Sequence, residues 1–311
     1  MRGLPATGLC LITSISISYD ANQHRGEPEP GQARVVTSLK SLTMKTSARK
    51  PQLTVTDIFG RHCRIPNLTR ASFTTAALLS TVWVMLLVVF YSAPGFDIAV
   101  SELFFRAGNC TAHEANTICG GFPIAREPVL KAIRQILFYM PHVVGVGVLV
   151  ALIVKLCQPR AAWQQEQIVK LVLSLLATAI GPYLLVNVFL KDMSGRPRPN
   201  QTVFFGGPYG FEPAGNFAGA CDQNCSFISG EAAGAGWIIC IVPLLPATWR
   251  RRIGWPLVFA SFASPLLRLA FGAHYLSDVV LGWLSSPVIF AIVFAVANGC
   301  GLLRARNQPH L

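Results

Sequence analysis

"AIGPYLLVNVFLKDMSGRPRP", residues 179–199, runs from an unbroken apolar segment directly into Lys191, Arg196 and Arg198. The segment before Lys191 has the composition of a helix in hydrocarbon, and hydrocarbon does not accept an unpaired cation. The cations therefore mark where a helix leaves the bilayer, and they ask for an anion at that point.

The rest of the chain agrees with a membrane setting. It has 311 residues, of which 52% are hydrophobic and only 13% charged, too apolar for an ordinary soluble domain of this size. Runs long enough to cross about 30 Å of hydrocarbon as helices lie at roughly 71–93, 136–156, 168–190, 232–249, 255–271 and 279–299. The expectation is an all-α polytopic protein, a six-helix transmembrane bundle over residues 71–303, followed by a short cytoplasmic C-terminal tail, 304–311.

Orientation follows from the basic residues, which concentrate in short cytoplasmic loops. Arg61, Arg64 and Arg70 precede the first run, and Lys155, Arg160 and Lys170 lie between the second and third. Arg250, Arg251 and Arg252 separate the fourth and fifth, and Arg304 and Arg306 follow the last. Both termini are thus expected in the cytoplasm. The opposite side receives the longer connections 94–135 and 191–231 and a tight corner at 272–278, and nearly every acidic residue beyond position 70 except Glu166.

Residues 1–70 are polar, Ser/Thr- and Pro-rich and basic, a composition that cannot bury a core and reads as a disordered cytoplasmic tail. The patch "GLCLITSISIS" has signal-peptide length but lacks a strongly basic start and a small-residue cleavage site, and translation from Met44 is a further expectation. The net charge of +12 is spread over the tail, the inner loops and the outer cluster. Anionic lipid headgroups satisfy the cytoplasmic share, so no nucleic-acid partner is implied. Cys110 with Cys119, and Cys221 with Cys225, share outer loops where an oxidising compartment permits disulfides; spacing leaves open whether they pair.

Three groups carry the chemistry: Lys191 with Arg198 and Pro199 seven and eight residues on; Ser229, Gly230 and Glu231; and Arg268, His274 and Asp278. On the six-run scheme all fall on the outer side. Forked guanidinium donors and a compact ammonium match phosphate oxygens. The spacing of His274 and Asp278 places them on one face of a helix, where Asp278 would fix the imidazole tautomer and leave the other nitrogen aimed at phosphorus. Any one of these residues alone reads as a structural or snorkelling side chain; jointly, at these spacings and on one side, they read as an active site. Arg196 is read as a boundary cation outside that set.

The pattern Lys-x6-Arg-Pro, Ser-Gly, Arg-x5-His-x3-Asp resembles the type 2 phosphatidic acid phosphatase superfamily, over roughly residues 71–300. The resemblance implies a phosphatase that needs no metal or other cofactor. In it His274 forms a phosphohistidine, Lys191, Arg198 and Arg268 clamp the phosphoryl oxygens, and the backbone around Ser229 and Gly230 donates further hydrogen bonds. Two positions depart from the family's pattern. Glu231 stands where a histidine ordinarily protonates the leaving oxygen, a role a carboxyl fills only when protonated. Leu267 stands where a serine usually contributes a hydroxyl.

The implied substrate is a lipid phosphate met at the outer face of a bacterial inner membrane. The candidates are lipid A, undecaprenyl pyrophosphate, phosphatidate and phosphatidylglycerophosphate, and the acidic second motif leans the reading toward lipid A. Two other outcomes stay open: phosphotransfer from the same intermediate, and a catalytically weak lipid-phosphate binding or transport protein. Oligomeric state is not legible. The segments "GFDIAVSELFF" (95–105) and "PVLKAIRQILFYMP" (128–141) read as helices lying along the interface, His142 as a packing residue, and Gly145, Gly147, Gly234 and Gly236 as points of close helix approach.

Overall fold

The computed structural model describes residues 70–108, 118–159 and 164–303, and ahead of them the backbone of three short strands. The chain divides into two units, Met1–Asn67 and Leu68–Leu311. In the first, β1 (Ile15–Ser16), β2 (Thr54–Thr56) and β3 (His62–Arg64) form an antiparallel sheet in the order β1-β2-β3. The expected disorder of the tail, and the expected tail at 304–311, otherwise lie outside the described residues.

The second unit is helical: α1 (Arg70–Ser92), α2 (Gly95–Glu102), α3 (Pro128–Cys157), α4 (Gln165–Thr178), a π-helix (Ala179–Leu190), the single turn α5 (Lys191–Met193), α6 (Gly230–Ile241), α7 (Ala247–Ala270) and α8 (Leu276–Gly299). β4 (Arg106–Ala107) and β5 (Gly120–Gly121) pair antiparallel within the connection between α2 and α3. Five helical runs are long and apolar enough to cross a bilayer: 71–92, 128–157, 165–190, 247–270 and 276–299. Their large apolar side chains are widely exposed, Val84, Met85 and Val88 on α1 and Val143, Val146 and Val150 on α3 among them. Apolar surface of this extent on helices of this length is what a bilayer covers. The chain is an integral, multi-pass membrane protein.

The fourth run is present and, with the five long helices, makes six, but it is shorter than expected. In place of a span over 232–249 there is a shorter apolar helix, Gly230–Leu244, which at 1.5 Å per residue reaches only about 22 Å. It is the central helix, with Ala232, Ala233, Gly234, Ala235, Gly236, Trp237 and Ile238 all buried, and it packs on α8, α7, α3 and the π-helix. Gly236 permits this, since a Cβ there would lie 2.0 Å from the Trp283 carbonyl oxygen of α8. Gly234 also sits at a close approach, to Pro141, whereas a Cβ at Gly145 would make only ordinary contact with Trp237 and nothing lies within 4 Å of one at Gly147.

Without a hydrophobic drive between helices in lipid, side-chain hydrogen bonds to backbone help to hold the bundle. Trp83 Nε1 donates to Leu281 O at 2.9 Å, joining α1 to α8. Trp237 Nε1 donates to Ser174 O at 3.0 Å, Ser286 Oγ to Ala233 O at 2.6 Å, and Ser261 Oγ to Ala235 O at 2.6 Å.

The two segments expected along the interface behave otherwise. Residues 128–141 are the first turns of α3, continuous with its membrane span, because Pro128 begins that helix and helical periodicity then runs through Pro141. Residues 95–102 form α2, whose Asp97 and Ser101 are completely buried or nearly so; its polar side is plugged into the bundle.

Candidate active site

The π-helix delivers the first motif. Pro182 cannot donate a backbone hydrogen bond, and the Asn187 side chain donates to the Pro182 carbonyl at 2.8 Å, so the i→i−4 ladder is replaced by the wider winding frequent at functional sites. The run ends at Lys191. Gly195, at φ +58°, then reverses the chain, and a Cβ there would lie 2.2 Å from the Gly219 carbonyl oxygen. This turn sends Arg196 and Arg198 to different places. The 194–198 loop is fastened to the 221–227 loop by Cys221 N to Gly195 O and Ser226 N to Arg196 O, each 2.8 Å, and Cys221 and Cys225 form a disulfide. Cys119 is disulfide-bonded as well, while Cys110 lies outside the described residues.

The second motif begins α6. Ser229 is its N-cap, accepting from Ala232 N at 3.3 Å, and Gly230 is required because a Cβ would lie 2.4 Å from Asn187 Oδ1. The third motif spans a corner: Arg268 in the last turn of α7, His274 in the connection, Asp278 in the first turn of α8.

These elements enclose a cavity of about 730 Å³. Lys191, Arg198, Gly230, Glu231, Arg268 and His274 line one part of it, so six of the eight residues singled out in the sequence converge. The rest of the cavity follows α3 and the π-helix, past Phe138, Pro141, His142 and Gly145 on one side and Tyr183 and Asn187 on the other. His142, read as a packing residue, contacts Tyr183 edge-on but also faces this space.

Ser229 and Asp278 are not on the cavity wall. Ser229 N donates to the Asp278 carbonyl at 3.0 Å, so it is committed to structure; Gly230 and Glu231, the first residues of α6, carry the helix end that favours anions. Asp278 does not hold the imidazole directly, since Oδ2 is 3.8 Å from His274 Nδ1, too far for a hydrogen bond. The i, i+4 argument fails because His274 precedes the helix: Tyr275, the N-cap of α8, is extended at φ −77°, ψ 165°. Asp278 Oδ2 instead accepts from Tyr275 N at 2.9 Å and from Ser226 Oγ at 2.5 Å.

Ser226 makes the link. Its carbonyl lies 2.9 Å from His274 Nδ1. A carbonyl only accepts, so Nδ1 carries the proton and Nε2 keeps its lone pair. Burial lowers the His274 pKa to about 4, Arg268 and Arg198 acting in the same direction and Asp278 against it. The ring is therefore neutral at physiological pH.

Arg196 is the main departure from the sequence reading. It is fully buried and faces away from the cavity. Its Nη1 donates to Asp278 Oδ1 at 2.5 Å and Ser277 Oγ at 2.8 Å, Nη2 to Asp97 Oδ2 at 2.7 Å, and Nε to Glu212 O at 2.8 Å. Its guanidinium stacks on Tyr275, 4.5 Å from the ring centroid. Burial opposes its charge, but Asp278 and Asp97 outweigh that and raise its pKa. Arg196 thus ties α2, the first-motif loop and α8 into one buried network.

Arg134 of α3, which the sequence reading did not single out, also lines the cavity. Its Nη2 is ion-paired with Glu231 Oε1, and its Nε donates to Oε2 at 3.2 Å. Arg268 Nε lies 3.5 Å from the same Oε1. The available signal was periodicity: Arg134, Phe138, Pro141, His142, Gly145 and Leu149 form one stripe of α3, and all line the cavity.

Residues 167–301 match the PAP2 superfamily. A Rhizobium leguminosarum protein named lipid A 4'-phosphatase is 47% identical over 222 residues, 71% of this chain and 95% of the relative. The chain belongs to the PAP2 superfamily. A Rhizobium etli protein of the same name is 46% identical over 230 residues, covering 74% of this chain and 90% of its own length. A crystal structure of a transmembrane PAP2-type phosphatidylglycerolphosphate phosphatase from Bacillus subtilis aligns over 72% of this chain and 96% of that one, with a TM-score of 0.44 and 17% identity, too distant a likeness to carry an argument. As a PAP2 member of this kind the chain is a phosphoric monoester hydrolase, a lipid phosphatase of the membrane.

Proposed function

We propose that this chain removes a phosphate from lipid A at the outer, periplasmic face of a bacterial inner membrane, through a phosphohistidine intermediate. The observation that carries the reading is a buried imidazole, with Nδ1 held by the Ser226 carbonyl, on the same cavity wall as Lys191, Arg198 and Arg268. Two Rhizobium relatives named lipid A 4'-phosphatase support this choice of substrate. Positive-inside asymmetry supports the orientation: Lys155 ends α3 and Arg250, Arg251 and Arg252 begin α7, at the helix ends opposite the site.

In this mechanism the lipid's phosphoryl oxygens lie against Lys191, Arg198 and Arg268 and the start of α6, where charge redistributing in the transition state is stabilised by donors already in place. Glu231 takes the proton of the monoanionic phosphoryl group as the substrate binds; His274 Nε2 then attacks phosphorus, the bond from phosphorus to the lipid oxygen breaks, and Glu231 passes that proton to the departing oxygen. Water then attacks phosphorus, the Glu231 carboxylate takes the water's proton, and the phosphorus–nitrogen bond breaks to release inorganic phosphate and restore the imidazole. Asp278, Ser226 and Arg196 act by positioning the ring.

A phosphate-release assay on the purified full chain, with lipid A and the other three lipid phosphates as substrates, tests the reading. Release from lipid A, retained in chelator and lost in His274→Ala, is expected. No release from any lipid would overturn it, and label appearing on a second lipid would assign phosphotransfer instead.

A further inference from the structure

The mechanism uses Glu231 but gives no task to its partner Arg134, the least explained charge on the cavity wall. We infer that Arg134 is a fourth phosphoryl-binding cation, and that Glu231 occupies the forks of Arg134 and Arg268 as an internal anion which the substrate's phosphoryl group displaces. The inference rests on the phosphatase reading above and adds to it a specificity-determining residue from outside the three motifs.

The geometry of the pair is the first argument. Arg134 presents Nε and Nη2 to the two oxygens of one carboxylate, the side-on fork that a phosphate also accepts. Its guanidinium carbon stands 5.0 Å from the Phe138 ring centroid, a cation–π contact that fixes the plane of the fork. The helix thus holds Arg134 pointing at the site independently of Glu231.

The second argument is an orphaned donor. Arg268 is 8% exposed, and its Nε has no hydrogen-bond partner among the described residues; Glu231 Oε1 lies 3.5 Å away. As placed, the carboxylate bonds Arg134 and leaves Arg268 Nε without a hydrogen bond. A buried donor left unmade is costly, and a tetrahedral anion with three free oxygens would satisfy Arg134 and Arg268 together. Displacement also accounts for how a glutamate works at the proton donor's position. Once the phosphoryl group takes the two arginines, the freed Glu231 carboxylate can accept the proton of the monoanionic phosphoryl group and pass it to the leaving oxygen.

Inorganic phosphate is the probe, its binding to the detergent-purified full chain measured by calorimetry alongside kcat and KM for lipid A. Arg134→Gln should weaken phosphate binding about tenfold or more, the scale of a lost charge-assisted hydrogen bond, and raise KM, with Arg134→Lys recovering part of both. Glu231→Gln should bind inorganic phosphate more tightly than the unaltered protein while its turnover falls, the opposite of what a simple supporting residue would give. Phosphate affinity unchanged in Arg134→Gln, or weakened in Glu231→Gln, would overturn the inference. If Arg134→Gln shows no cooperative melting transition, Arg134→Lys and Glu231→Gln decide. Failure of the phosphatase reading looks different: the unaltered protein would bind phosphate but release none from any lipid.

Discussion

Replacing Asp97 with alanine removes one carboxylate from a fully buried cluster, and its cost follows from the contacts. Asp97 accepts from Arg196 Nη2 at 2.7 Å, Ser277 Oγ at 2.6 Å and Ser277 N at 2.8 Å. With the carboxylate gone, Arg196 keeps Asp278 but loses its second anion, and the Ser277 amide at the start of α8 loses its acceptor. Removing one partner of a buried ion pair costs about 3–5 kcal/mol because the remaining charge is stranded. For a domain of about this size that lowers the melting temperature by roughly 6–20 °C. Asp97→Asn should lose nearly as much, since it keeps the shape but not the charge that offsets Arg196. Thermal unfolding of the two variants in the same detergent reads the effect. Phosphate release should show a lower kcat with little change in KM, because Asp97 lies outside the cavity and reaches His274 only through Asp278 and Ser226. An Asp97→Ala protein as stable as the parent to within about 1 kcal/mol, the range of an exposed pair, would refute the account of the buried network.

Four further outcomes follow. Glu231→Gln should lower kcat by about 10²–10⁴-fold, the usual contribution of a positioned proton donor; unchanged turnover in a release assay would remove that role. With its pKa lowered to about 4, free His274 stays neutral in moderate acid, so the His274 contribution to the acid limb of the kcat/KM profile should fall near pH 4 and not near 6.5. The same shift makes stability pH-dependent: between pH 6.5 and 4 the unfolded chain binds the proton and the folded one does not, so stability present above 6.5 is lost as pH falls through that window. The loss is about 3 kcal/mol, and His274→Gln should flatten it in denaturant titrations at each pH. Gly236→Ala drives a methyl against the Trp283 carbonyl and should cost about 1–3 kcal/mol, read as a lowered melting temperature.

The candidate site was legible because membranes make charge conspicuous. Lys191, Arg198, Arg268 and His274 stand out in a chain this apolar, and helix direction alone sorts them to one end of the bundle. Local periodicity likewise gave the long helices, and small residues pointed to the tight approaches at Gly234 and Gly236. What failed were inferences that needed the third dimension. Arg196 read as a boundary cation, but the turn at Gly195 sends it inward to a buried ion-pair network. The spacing of His274 and Asp278 assumed a helix that begins only after the histidine. The 95–102 segment looked interfacial because its partner for Asp97 is 99 residues away in Arg196.

The sequence by itself determined the membrane setting, the helical class and the candidate site residues, since hydropathy, charge and motif spacing are properties of neighbours along the chain. Only the tertiary structure decided that a carbonyl of Ser226 sets the imidazole tautomer, that Arg196 braces and does not bind, and that Arg134 meets Glu231. Those are contacts between segments remote in sequence, where the requirement that buried charges and donors find partners is met by packing and leaves no local pattern to read.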